Sequence, residues 1–227
     1  MQTKIIPTLN VKTKEEYIKN LRAVEGFTDT VQIDIADGKF TNWKNWHDPI
    51  EIALIETELD YELHVMANNP IDELKRWKNI KNITRTILHV ELLCGDERCG
   101  LEKTANDITK IFDNKIEIGF AVKPETGVGF FEQIEPKPSY IMLLGVDPGK
   151  SGQKFNKNIL EKIRKIRQMH PTLNIEVDGG VNNHNIDEVI KAGANIICLG
   201  SAIFNDKASP QENYSLIEKR IASLTLM

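Results

Sequence analysis

Two aspartates, Asp34 in QIDIADG and Asp178 in EVDGG, interrupt runs that are otherwise built of strand-forming apolar residues. A carboxylate in such a run is costly to bury without a partner, so acid/base or metal chemistry is the expected use. Glu176 lies two residues before Asp178 and so shares its strand face. Gly179-Gly180 follows at once, and Gly200-Ser201 repeats the arrangement one strand later. Paired glycines let backbone amides approach a ligand closely, as a phosphate requires, and Gly200-Ser201 falls where a new helix would offer free N–H groups. A third glycine loop runs Pro148-Gly149-Lys150-Ser151-Gly152-Gln153. Gly149, Ser151, Gly152, Gly179, Gly180, Gly200 and Ser201 are the expected phosphate contacts, with ordinary tight turns as the alternative. Acids beside anion cradles imply an enzyme acting on a small phosphorylated substrate.

Such residues need elements to hold them. Apolar runs of strand length recur at Lys4–Leu9, Thr30–Ala36, Tyr61–Met66, Thr84–Glu91, Ile116–Val122, Tyr140–Val146, Asn174–Val177 and Asn195–Leu199. Between them, helical spacing of apolar residues marks Glu15–Val24, Pro49–Glu58, Ile71–Trp77, Glu102–Phe112, Asn158–Met169 and Asn185–Ala192, with Pro210–Leu224 last. Strict alternation calls for parallel strands joined by crossover helices, and eight repeats in one chain predict a single (β/α)8 TIM barrel over residues 1–227. A doubly wound open sheet competes, but its first turn should be glycine-rich, and Pro7-Thr8-Leu9-Asn10 has no glycine. In a barrel the chemistry sits at the carboxyl ends of the strands: Gln32 and Asp34, His64, His89 and Glu91, Asp147, and Asp178. His89 with Glu91 reads equally as a site pair or a buried ion pair. Asp37-Gly38 reads as a turn. Trp43 and Trp46 could form a lid or a small packed cluster, and His47, His170 and His184 are expected to be exposed.

The net charge of −4 is weak and both signs are interspersed, which points away from nucleic acid and membrane surfaces. No apolar run approaches a membrane span, and the amino-terminal residues do not resemble a secretion signal. Cys94 and Cys99 are too far apart for a C-x-x-C pair, so free thiols and a cytoplasmic location are expected.

The stretches QIDIADGKF, ELHVM, HVE, GFAVKPET, GVDPGKSGQKF, EVDGGVN and GSAIF, in that order, resemble ribulose-phosphate 3-epimerases over nearly the whole chain. The resemblance implies epimerisation at C3 of a ketopentose 5-phosphate, ribulose and xylulose forms being the pair. Asp34 and Asp178 match the two catalytic aspartates. Asp34, His64 and Asp178 match three of the four ligands of a divalent metal, and a homo-oligomer is implied as well. Gln32 stands in place of the fourth ligand, a histidine in the family, and an amide oxygen is a weaker and harder donor. The family's first-strand serine has no clear counterpart, with Thr8 or Asn10 near its space; Ala36 and Leu144 replace two methionines, and Lys123 replaces an asparagine. These departures keep two alternatives open: a related enzyme acting on a hexulose phosphate, and a sugar-phosphate-binding homologue without activity. A decarboxylase-type D-x-K-x-x-D run is absent from the sequence.

Overall fold

Eight strands form where the apolar runs predict them: β1 Lys4–Leu9, β2 Thr30–Ala36, β3 Asp60–Met66, β4 Ile83–His89, β5 Glu117–Val122, β6 Tyr140–Leu144, β7 Asn174–Asp178 and β8 Ile196–Leu199. The structure, a computed structural model, describes residues 2–93, 99–129, 131 and 137–225. Each strand pairs in parallel with the next, and β8 returns to β1, so the sheet closes into a (β/α)8-type barrel. The helices are α1 Lys14–Val24, α2 Pro49–Ile52, α3 Pro70–Trp77, α4 Cys99–Ile111, α5 Ile159–Met169, α6 Ile186–Ala192 and α7 Pro210–Thr225. Their starts obey local rules. The Thr13 side chain caps α1 by accepting from the Glu16 amide, and Asp48 caps α2 ahead of Pro49.

Alternation along the strands divides the core in two. Val31, Ile33 and Ile35 of β2 and Leu63 and Val65 of β3 belong to the outer core, with the helix residues Tyr17, Leu21 and Leu74. A separate inner cluster holds Ile6, Ile87, Ala121, Tyr140, Met142, Leu144, Ile196 and Cys198. The residues between the outward-facing ones include Gln32, Asp34, Glu62, His64, Arg85, His89, Glu176 and Asp178, all buried. The barrel axis is therefore polar at two levels. Toward the amino ends of the strands, Arg85 lies 2.5 Å from Glu62 and 2.9 Å from Glu176, with its guanidinium over the Tyr140 ring.

Several expectations change in detail. The segment expected as a helix over Pro49–Glu58 stops at Ile52, and β4 ends at His89, with a 3-10 turn over Val90–Leu92. His184 is exposed, but His47 and His170 are half-buried. Nδ1 of His47 lies 2.8 Å from Asn45 Oδ1, and His170 packs edge-on against Phe131. Cys94 lies outside the described residues. No helix among the described residues is long and apolar enough to cross a membrane.

Candidate active site

Asp34 and His64 are register partners on β2 and β3, and Asp178 ends β7. Barrel closure brings all three to one point. Asp34 Oδ1 is 3.0 Å from His64 Nδ1, Asp178 Oδ2 is 3.5 Å from the same nitrogen, and the three ligand atoms all lie within 4.8 Å of one another. Gln32, two residues before Asp34, reaches the same point from below. Its Nε2 donates to Asp34 Oδ1 at 3.1 Å and to Asp178 Oδ2 at 3.2 Å. Gln32 Oε1 is buried with no hydrogen-bond partner.

That orphaned oxygen tests the fit of a cation. An amide rotated by half a turn exchanges its oxygen and nitrogen, so Oε1 would join the two carboxylates and the imidazole as a fourth donor. Two carboxylates, one imidazole and one amide oxygen form a donor set that suits a hard or borderline divalent ion. The residues present therefore fit a metal.

Hydrogen bonds behind His64 fix its orientation. Burial lowers its basicity, but Asp178 and Asp34 outweigh that and hold it at about 10. His89 Nε2 is 3.0 Å from His64 Nε2, and burial pushes His89 down to about 4. The neutral ring thus accepts from His64 and presents its own N–H to Glu91 Oε2, 3.3 Å away. Although burial raises the Glu91 carboxyl, His89, the Lys123 amide and the Thr126 hydroxyl hold it at about 2. A ligating histidine backed by a hydrogen-bonded partner is the usual arrangement around metals. Burial raises the Asp34 carboxyl above its ordinary value, with His64 pulling the other way.

Asn10, just past β1, ties this cluster to the loops. Its Nδ2 donates to Asp34 Oδ2 and to the Gly149 carbonyl, both at 2.7 Å. Its Oδ1 accepts from Trp43 Nε1 at 2.9 Å and from Asn45 Nδ2 at 3.4 Å. Trp46 has a different fate, packed at a tilt of 57° against Tyr17 with ring centroids 5.3 Å apart. Asn45 also donates to the Asp34 carbonyl and accepts from the Ala36 amide, locking the end of β2. The side chain of Thr8, the other residue near the missing serine, is buried with its hydroxyl unpartnered.

The glycine loops line the same end of the barrel. Asp34, His64, Asp178, Gly149, Lys150, Ser151 and Gly179 enclose a cavity of about 40 Å³. Gly180 has φ +71°, and a Cβ there would lie 2.9 Å from the Phe155 backbone, so glycine is required. Gly200 faces Ser151, whose Oγ would lie 3.7 Å from a Cβ at that position. Gly152 has φ +82° and open space around it. Ser201 is exposed, and residues 200–204 form a single turn, with Ile203 and Phe204 amides on the Gly200 carbonyl; the next regular helix, α7, starts only at Pro210. Larger hollows of about 560 and 660 Å³ lie at the opposite, amino end of the strands, away from these groups.

The ribulose-phosphate 3 epimerase family profile matches residues 4–204. The chain belongs to this family. A ribulose-phosphate 3-epimerase of Schizosaccharomyces pombe is 28% identical over 221 residues, 93% of this chain and 91% of that protein. One from Bacillus subtilis is 31% identical over 187 residues, covering 79% and 82%. Among solved structures, a tryptophan synthase α-subunit from Pyrococcus furiosus aligns with a TM-score of 0.65 at 15% identity, covering 98% and 100%. An orotidine 5'-monophosphate decarboxylase from Sulfolobus solfataricus aligns at 0.62 and 12%, covering 97% and 100%. At such identities these two share the fold alone. Within the epimerase family, this chain's expected site residues Asp34, His64 and Asp178 meet as one group, with Gln32 against all three. The sequence singles out Glu176 beside Asp178, but Asn45 and the Glu62 and Arg85 that join Glu176 in a buried cluster were missed. Glu62 and Arg85 carried a signal, since charged residues stand mid-strand in YELHV and TRTIL.

Proposed function

We infer that the protein interconverts the C3 epimers of a ketopentose 5-phosphate, ribulose 5-phosphate and xylulose 5-phosphate. The observation that carries this is the convergence of Asp34 and Asp178, from β2 and β7, on one cavity walled by the Gly149 loop. Membership of the epimerase family and the family's named relatives support it.

Inverting a carbon beside a ketone requires removal of its proton on one face and delivery on the other. Asp34 and Asp178 are the two carboxyl groups for this exchange. Burial makes Asp34 a stronger base than an exposed aspartate, which suits proton abstraction near neutral pH. A divalent cation held by Asp34, His64 and Asp178, with Gln32 as fourth donor, would supply positive charge to balance the enediolate. The His64–His89–Glu91 chain keeps the imidazole oriented, so that Nδ1 faces the carboxylates. Backbone amides of Gly149, Gly152, Gly179, Gly180 and Gly200, with Ser151 and Ser201, would receive the phosphate. Lys150, exposed at the rim, adds a cation there. A homo-oligomer and a cytoplasmic location belong to the same proposal.

The test is ribulose 5-phosphate in D2O with metal supplied, followed by NMR. Loss of the C3–H signal and growth of xylulose 5-phosphate are expected; neither appearing overturns the reading. Asp34→Asn and Asp178→Asn should each slow conversion by about 10²–10⁴-fold, the contribution of a positioned acid or base.

A further inference from the structure

We propose that Asn10 is a positioning residue that couples the seat of the Gly149 loop to the orientation of Asp34. Asp34 is then held for proton transfer while that loop is seated, the position that a substrate phosphate received by the loop amides would favour. The inference rests on the epimerase reading of the site.

The Asn10 carboxamide is fully committed. One N–H serves Asp34 Oδ2 and the other the Gly149 carbonyl, each at 2.7 Å, while Oδ1 is held by Trp43 and Asn45. The other carboxylate oxygen, Asp34 Oδ1, is occupied by His64 and Gln32. Asn10 is the one hydrogen-bond partner of Oδ2 among the described residues. Gly149 sits closely on the same support: a Cβ there would lie 3.1 Å from Thr41 and Trp43. The seated loop walls the cavity that the two aspartates share, so substrate entering there passes the loop, which lifts aside. Lifting removes the carbonyl from one N–H of Asn10 and loosens the amide that orients Asp34. Reseating restores both bonds together. Binding energy from the phosphate, remote from C3, is thereby spent on aligning the base, which raises turnover and not just affinity.

The readout is the phosphate advantage: kcat/KM for ribulose 5-phosphate divided by that for unphosphorylated ribulose, both followed by C3 deuterium exchange. In Asn10→Ala this ratio should fall about 10- to 100-fold, mostly through kcat on the phosphorylated substrate, the scale of a misaligned reacting group. Trp43→Phe removes the indole N–H that braces Asn10, with part of the ring that lies under Lys12, and should lower the ratio in the same direction by less. Equal losses on both substrates in Asn10→Ala, or an unchanged ratio, would overturn the proposal. If Asn10→Ala does not fold, Trp43→Phe decides alone: a lowered ratio supports the coupling and an unchanged one refutes it. A wild-type protein inert on both substrates removes the epimerase reading and this inference with it. An active wild type whose ratio ignores both substitutions removes the inference alone.

Discussion

At the residue scale the site turns on where one proton sits. His64, held at about 10 by Asp178 and Asp34 against the pull of burial, is an imidazolium at neutral pH when no cation is bound. Its folded value lies above the ordinary 6.5, so the folded state binds the extra proton between those limits. The stability it contributes is complete below pH 6.5 and is lost as pH rises toward 10. Metal-free protein should therefore lose thermal stability across that window, and His64→Gln should flatten the loss. A bound cation must displace the same proton from Nδ1, so metal affinity should rise with pH over the same range. Calorimetry in two buffers of different ionisation enthalpy measures the released proton; no release would mean that His64 is already neutral. Asp34, Asp178 and His64 were each legible in the sequence as polar residues in apolar strands. That Gln32 directs its nitrogen at all three was not, because an amide's orientation follows from its neighbours and not from its own position in the chain.

At the element scale, strand order and most boundaries followed from periodicity, since a period of two and a period of 3.6 bury different residues. The exception at Pro49–Glu58 has a physical cause. Beyond Ile52 the amides of Leu54 and Ile55 bond three residues back, to Glu51 and Ile52, so the chain tightens into turns in place of the α-helical ladder, with Leu54 left 78% exposed. Loop geometry gives a sharper test. Gly180 combines φ +71° with the Phe155 backbone 2.9 Å from a would-be Cβ. Gly180→Ala should destabilise by at least the roughly 1–2 kcal/mol that a left-handed residue costs, and should also push Phe155 and its loop outward. KM for the phosphorylated substrate should rise more than KM for ribulose. Urea unfolding and steady-state kinetics read both, and a neutral substitution would mean that the loop at Phe155 yields freely.

For the whole molecule, the barrel depends on a charged floor as well as an apolar shell. Burial and Glu176 raise the Glu62 carboxyl well above its usual range, and Arg85 is the cation that holds both acids. Arg85→Met would leave two carboxyl groups facing each other in the barrel interior. It should cost roughly 3–5 kcal/mol, the usual loss when one partner of a buried ion pair is removed, with a matching fall in Tm. An unchanged Tm would show that water reaches the cluster from the amino-end hollow lined by Arg85 and Glu117. The chain by itself determined eight strands alternating with helical segments, the acids and imidazole at the strand ends, and the glycines of the loops, because each depends on local period, turn chemistry or the cost of burying charge. Only the closed barrel decided which of these meet. Gln32 and Asp178 stand 146 positions apart and touch because the cylinder joins β8 to β1. Asn10 acquires its role the same way, from three loops that converge above the barrel and share no local sequence pattern.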